Sequence, residues 1–132
     1  MEQKILLEHA FKAMENAYAP YSHFRVGACV VMKDGTYFYG ANIENASFGG
    51  TNCGERSAVF AAYSNGYRKD DIEALAIVSE GHRLAAPCGI CRQVLSELLN
   101  QKTPILLATK SGLFKETNIE ELLPMQFNGD DL

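Results

Sequence analysis

The chain has 132 residues, 47% of them hydrophobic and 21% charged, which suits one soluble globular domain spanning 1–132. Its net charge is −4, and its longest basic cluster, Arg68-Lys69, is followed at once by Asp70-Asp71. A protein that grips polymeric nucleic acid by its phosphates carries a basic face, so a small neutral ligand is the better expectation. No run of 18 apolar residues exists to span a membrane, and Met1-Glu2-Gln3-Lys4 lacks a basic segment leading into an apolar one. These features predict a reducing, cytoplasmic setting, where closely spaced cysteines bind metal or do chemistry more often than they form disulfides.

In chain order, Leu7, Ala10, Phe11, Met14, Ala17 and Tyr18 follow helical spacing, and Pro20 ends that helix. Phe24 to Met32 and Thr36 to Asn42 read as strands joined by an Asp34-Gly35 turn. Asn45 to Asn52 is a loop. A second helix starts near Cys53 and stops at Asn65-Gly66. Glu73 to Ser79 is a short buried strand, and Gly81 to Pro87 a loop. A third helix starts at Cys88. Pro104 to Thr109 and Leu113 to Thr117 are strands separated by a turn too short for a parallel crossover, so they should be antiparallel. Ile119 to Leu123 is a helical turn closed by Pro124. The order α-β-β-α-β-α-β-β predicts a mixed sheet with helices packed on it.

Two segments carry chemistry: Cys53-Gly54-Glu55-Arg56 and, 35 residues after Cys53, the start of Cys88-Gly89-Ile90-Cys91. Three thiols leave one position of a tetrahedral zinc open, as a catalytic site requires. Cys53 and Cys88 should each sit at a helix N-terminus, where the dipole favours thiolate. Cys88 and Cys91 lie one turn apart and face the same way. Zinc with three thiolates carries a formal charge of −1, which weakens it as a Lewis acid unless something offsets it. The helix ends and Arg56, as a donor to thiolate sulfur, are the candidates. Glu55, beside the three cysteines, can move protons to and from water.

A Cys-x-x-Cys alone also fits a redox dithiol, but that leaves Cys53 and Glu55 without work. A structural zinc needs a fourth ligand. Cys29 lies mid-strand and reads as a buried small hydrophobe. His9, His23 and His82 stand in no ligand spacing.

Taken together, the motifs resemble the small homotetrameric cytidine deaminases, a family of zinc-dependent deaminases. The resemblance runs from Tyr18-Ala19-Pro20-Tyr21-Ser22 through Phe24-Arg25-Val26-Gly27-Ala28, Asn42-Ile43-Glu44-Asn45-Ala46 and the two cysteine segments to Leu122-Leu123-Pro124. It implies a three-layer α/β/α sandwich around a five-stranded mixed sheet. It also implies hydrolysis of cytidine and deoxycytidine to uridine and deoxyuridine in pyrimidine salvage. One Zn2+ per chain is implied on Cys53, Cys88 and Cys91, with Glu55 as proton shuttle. Asn42 and Glu44 are implied at the ribose hydroxyls, Phe24 against the base, the Gly54 N–H at the base carbonyl, and Phe127 at a neighbouring subunit's site. Gly54 stands where the family usually has Ala, and Phe48 where it often has Tyr. Gly49-Gly50 is also reminiscent of blasticidin S deaminase, which leaves a modified cytosine nucleoside as an alternative substrate. A nucleoside is expected rather than a nucleotide because no Lys or Arg neighbours the Asn42–Glu44 motif, His82-Arg83 being the possible exception.

Overall fold

A computed structural model describes residues 2–132. Helix α1 (Gln3–Met14) is followed by β1 (Val26–Met32), β2 (Tyr37–Ala41), α2 (Gly54–Ser64), β3 (Ile72–Ser79), α3 (Gly89–Leu98), β4 (Ile105–Thr109), β5 (Phe114–Thr117) and the short α4 (Ile119–Leu122). The expected order of elements is present. The strands form one sheet in the order β2-β1-β3-β4-β5. Among the described strands only β3 and β4 pair in parallel, and β4–β5 is antiparallel, as its short turn demands.

Alternation along the strands sets the layers. Ala28, Val30, Met32, Leu75, Ile77, Ile105 and Leu107 pack with Ala58, Val59, Leu95 and Ile119 from the later helices. Cys29, Val31, Ala74, Ala76, Val78 and Leu106 pack on the opposite face with Leu6, Ala10 and Met14 of α1. Both faces of β1 and β3 are therefore covered, which is why these strands read as nearly unbroken apolar runs. The result is the three-layer sandwich, with α1 covering one side. At the β1–β2 turn Gly35 takes φ +91° and the Asp34 carboxylate accepts the Thr36 N–H at 3.0 Å.

Two boundaries differ by more than one residue from the expected elements: β1 starts at Val26, leaving Phe24 and Arg25 before it, and the first helix ends early. Helix α1 ends at Met14, so Ala17 and Tyr18 lie outside it. The N–H groups of Glu15, Asn16 and Ala17 reach back only three residues, to Lys12, Ala13 and Met14, which tightens and closes the helix. Tyr18 is then claimed by the sheet end: its N–H donates to the Asn42 carbonyl at 2.9 Å and its carbonyl accepts from Glu44 at 2.8 Å. An apolar residue at helical spacing is no barrier to a β-bridge when backbone partners are waiting.

The first residue of β1, Val26, stands opposite the last of β3, Ser79. At this end of the sheet the chain leaves β2 toward Asn42 and Glu44 and leaves β3 toward the loop before α3. Gly40 lets α2 press on β2: a Cβ there would fall 2.2 Å from the Gly54 carbonyl oxygen and 2.6 Å from the Ala58 nitrogen.

Candidate active site

Cys53 is the N-cap of α2 and Cys88 the N-cap of α3. Cys91 lies in the first turn of α3, and its N–H donates to the Cys88 sulfur at 3.4 Å. The three sulfurs lie within 4.8 Å of one another, although Cys53 comes from a different helix. Cys53 and Cys88 are 3.9 Å apart and Cys88 and Cys91 3.3 Å apart, Sγ to Sγ. A tetrahedral zinc with ordinary Zn–S bonds needs sulfur separations of about 3.8 Å, so the cluster fits the ion. Among the described residues, no fourth Cys, His, Asp or Glu ligand atom joins it. Cys29 is fully buried in β1, and burial pushes its thiol up to about 12, which keeps it an inert hydrophobe.

The Arg56 guanidinium approaches the cluster, with Nη2 3.5 Å from the Cys53 sulfur. The Cys53 thiol is pulled down to about 5, first by its hydrogen bond with Cys91 and further by Arg56. Cys91 is pushed up by the same bond and by burial. Glu55 is only 5% exposed. Loss of water pushes its carboxyl up to about 7, with the nearby Cys53 sulfur adding to the effect.

Beside the sulfurs is a cavity of about 590 Å³. Cys53, Gly54, Glu55 and Cys88 line it from the two helix starts, while Asn42, Glu44 and Phe24 line it from the sheet end. A sequence model of the cytidine and deoxycytidylate deaminase zinc-binding region matches residues 1–107, which include every one of these groups. The chain belongs to this deaminase family. A cytidine deaminase of Halalkalibacterium halodurans is 48% identical over 132 residues, covering 100% of this chain and 98% of the relative. One from Sporosarcina psychrophila is 43% identical over 132 residues, covering 100% and 96%. The crystal structure of cytidine deaminase from Burkholderia pseudomallei superposes with a TM-score of 0.92 at 46% identity, covering 96% of this chain and 100% of that one.

Within this deaminase fold, Asn42 and Glu44 do more than face the cavity. The Asn42 Oδ1 accepts the Val26 N–H at 2.9 Å and its Nδ2 donates to the Phe24 carbonyl at 2.8 Å. The Glu44 Oε1 accepts the N–H groups of Tyr21 and Ser22, both at 3.0 Å, and its Oε2 accepts the Ser22 hydroxyl. These bonds, the Ser22 hydroxyl first among them, hold the carboxyl below its ordinary range. Phe24 is 38% exposed, a cavity residue and not core. Phe127 does not line this chain's own cavity; it is 57% exposed, and its carbonyl accepts from Gln93 Nε2 at 2.9 Å.

Several lining residues had no chemical signal in the sequence. Ser22, Thr51 and Asn52 are polar groups in loops, and Leu84, Ala85 and Ala86 reach the cavity only because their loop leads to Cys88. Arg83 lines it too, so a cation shares the cavity with the Asn42–Glu44 motif. A loop that ends on a metal ligand was the available clue.

Proposed function

We propose that this chain hydrolyses cytidine and deoxycytidine to uridine and deoxyuridine, releasing ammonia, with residues 1–132 acting as one catalytic domain. The observation that carries this reading is the meeting of a buried carboxyl, Glu55, with thiolate ligands and the Asn42–Glu44 pair around one cavity. Cys53, Cys88 and Cys91 would hold one zinc, which when bound supplies the Lewis acidity that makes water nucleophilic near neutral pH. Glu55, shielded from bulk water, takes the proton of the water attacking C4 and passes it to ring N3. It then takes the second proton of that water and delivers it to the amine as the C4–N bond breaks, which returns the carboxylate to its starting state.

The remaining side chains bind and orient. Asn42 and Glu44 suit a sugar diol, being an amide and a carboxylate at one strand end. Phe24 packs against the base, and the Gly54 N–H meets the base carbonyl. Arg56, by its bond to Cys53, offsets the thiolate charge. Phe127, exposed and outside its own cavity, would complete the site of a neighbour in a homotetramer. No described helix is long and apolar enough to cross a membrane, and the proposed location is cytoplasmic.

Metal analysis with an ultraviolet assay of cytidine loss tests this reading. The expected result is one zinc per chain, with Glu55→Ala keeping the metal and losing turnover. A Glu55→Ala chain as active as the unaltered one would overturn the mechanism. Arg83 on the cavity wall favours a second reading, a cytosine nucleotide. Faster loss of deoxycytidylate than of deoxycytidine would decide for it.

A further inference from the structure

The segment between α1 and β1 forms one wall of the cavity and is not relaxed. His23 sits at φ +55°, a left-handed conformation that a residue with a Cβ seldom adopts. Side chains from beyond β2 hold the segment on both sides of His23: Glu44 binds Tyr21 and Ser22, and Asn42 binds Phe24 and Val26. The Phe24 ring is confined as well, since a Cβ on Gly81 would fall 2.7 Å from its Cε1.

One group joins the two clamps. The Ser22 hydroxyl donates to Glu44 Oε2 and accepts the Phe24 N–H at 3.1 Å. Lone-pair accounting gives this link a consequence. A carboxylate offers about two acceptor sites per oxygen. Both sites on Glu44 Oε1 are taken by the Tyr21 and Ser22 N–H groups. The free site is on Oε2, the oxygen that Ser22 already holds. A sugar hydroxyl that donates to Glu44 must therefore share that oxygen with Ser22.

We propose that Ser22 is a positioning residue that couples sugar recognition at Glu44 to the placement of Phe24 against the base. The proposal rests on the nucleoside reading given above. A ribose hydroxyl arriving at Oε2 competes with the Ser22 hydroxyl for the same electron density. Any adjustment of that hydroxyl is passed through its acceptor side to the backbone N–H of Phe24. The base is thus gripped in response to the sugar, and Ser22 itself need touch neither.

Steady-state kinetics on cytidine test this with zinc-loaded protein. Ser22→Ala should lower kcat/KM by about tenfold, the scale of one lost charge-assisted hydrogen bond, with zinc content unchanged. The discriminating readout is the coupling of Glu44→Gln with Phe24→Leu. With Ser22 present, the two effects should combine non-additively, by about fivefold or more. In Ser22→Ala they should simply multiply. Ser22→Thr keeps the hydroxyl and should keep the coupling, which also serves if Ser22→Ala folds poorly. Unchanged cytidine kinetics in Ser22→Ala, coupling that survives without the hydroxyl, or coupling lost in Ser22→Thr would each overturn the proposal. Failure of the underlying nucleoside reading shows separately, as no cytidine turnover by the unaltered, zinc-loaded chain.

Discussion

The two walls of the cavity are built by different means. On the cysteine wall, each ligand is placed by regular structure: Cys53 and Cys88 cap helices, and Cys91 follows Cys88 by one turn. On the proposed sugar wall, Asn42 and Glu44 brace a segment about twenty residues away in sequence, through hydrogen bonds to its backbone groups and to the Ser22 hydroxyl. The first wall inherits its rigidity from two helices docked on the sheet. The second is only as rigid as the bonds that Asn42 and Glu44 make. Substitutions should therefore act in an all-or-none way on the cysteine wall and by degrees on the sugar wall.

The largest contrast lies among the cysteines themselves. Cys91→Ala should drop zinc from one per chain to near none and turnover to background, because two sulfurs do not make a zinc site. Cys29→Ala, equally buried, should keep both, losing only the packing of one small side chain. Metal content and cytidine turnover, measured on the pair, would break the comparison if Cys29→Ala also lost its zinc.

Next is Glu55→Gln, which keeps the shape and removes the proposed proton acceptor. Turnover should fall by about 10²- to 10⁴-fold, the range for losing a general acid–base group, with zinc retained. Stability provides a second readout in zinc-stripped protein. Burial holds the Glu55 carboxyl at about 7 against an ordinary 4.5, so the folded chain prefers the neutral acid. Below the lower value both states are protonated and there is no effect. Between the two values the unfolded chain ionises first, and stability falls as pH rises. Above the upper value the deficit is constant. The thermal midpoint of Glu55→Gln should therefore gain on the unaltered chain as pH rises from about 4 to about 8. A gain independent of pH would sink the assignment of that carboxyl.

The same divide governs what was legible in the sequence. The strands, the Asp34-Gly35 hairpin and the antiparallel last pair follow from local patterns, because a period of two and a short turn leave few options. The three cysteines and Glu55 announce themselves by residue type. Helical spacing runs on to Tyr18, because periodicity does not see the Asn42 and Glu44 backbone groups that claim it. Ser22 was invisible as a linking group because its importance lies in two partners, Glu44 and Phe24, whose positions only the folded chain defines. Ala85 and Ala86 reach the cavity by the path of their loop and have no side-chain chemistry to advertise it.

Arg56 stands between the extremes, since it touches the metal site without ligating it. Arg56→Gln should weaken zinc binding by about 10- to 100-fold, the usual cost of losing a partner of a metal ligand. Competition with a chromogenic chelator measures this directly, and an unchanged affinity would remove Arg56 from the charge balance. On the sugar wall, Asn42→Ala deletes two bonds to the Val26 and Phe24 backbone, each worth about 0.5–1.5 kcal/mol. Both the thermal midpoint and KM for cytidine should suffer, with zinc content intact. A variant with a raised KM and no loss of stability would show that the bracing bonds contribute nothing.

The smallest effect should come from Gly54→Ala, where the two walls meet. Gly54 opens α2 beside the end of β2, and an added Cβ would lie 3.3 Å from the Ala41 Cα and 3.5 Å from the Asn42 nitrogen. The contact is tight, and it falls on backbone, so the strand end must shift by a few tenths of an ångström. Against this, Ala in place of Gly favours helix by up to about 1 kcal/mol, less in the first turn than in the interior. The two terms oppose each other, so the thermal midpoint should move little. The N–H proposed to meet the base carbonyl is kept, so turnover should stay within a few-fold. Any change that does appear should be in KM, because the backbone that must give way belongs to Ala41 and Asn42 and carries the sugar wall with it. A loss of zinc from Gly54→Ala would mean instead that the strain runs back into Cys53, and that the two walls are less independent than their construction implies.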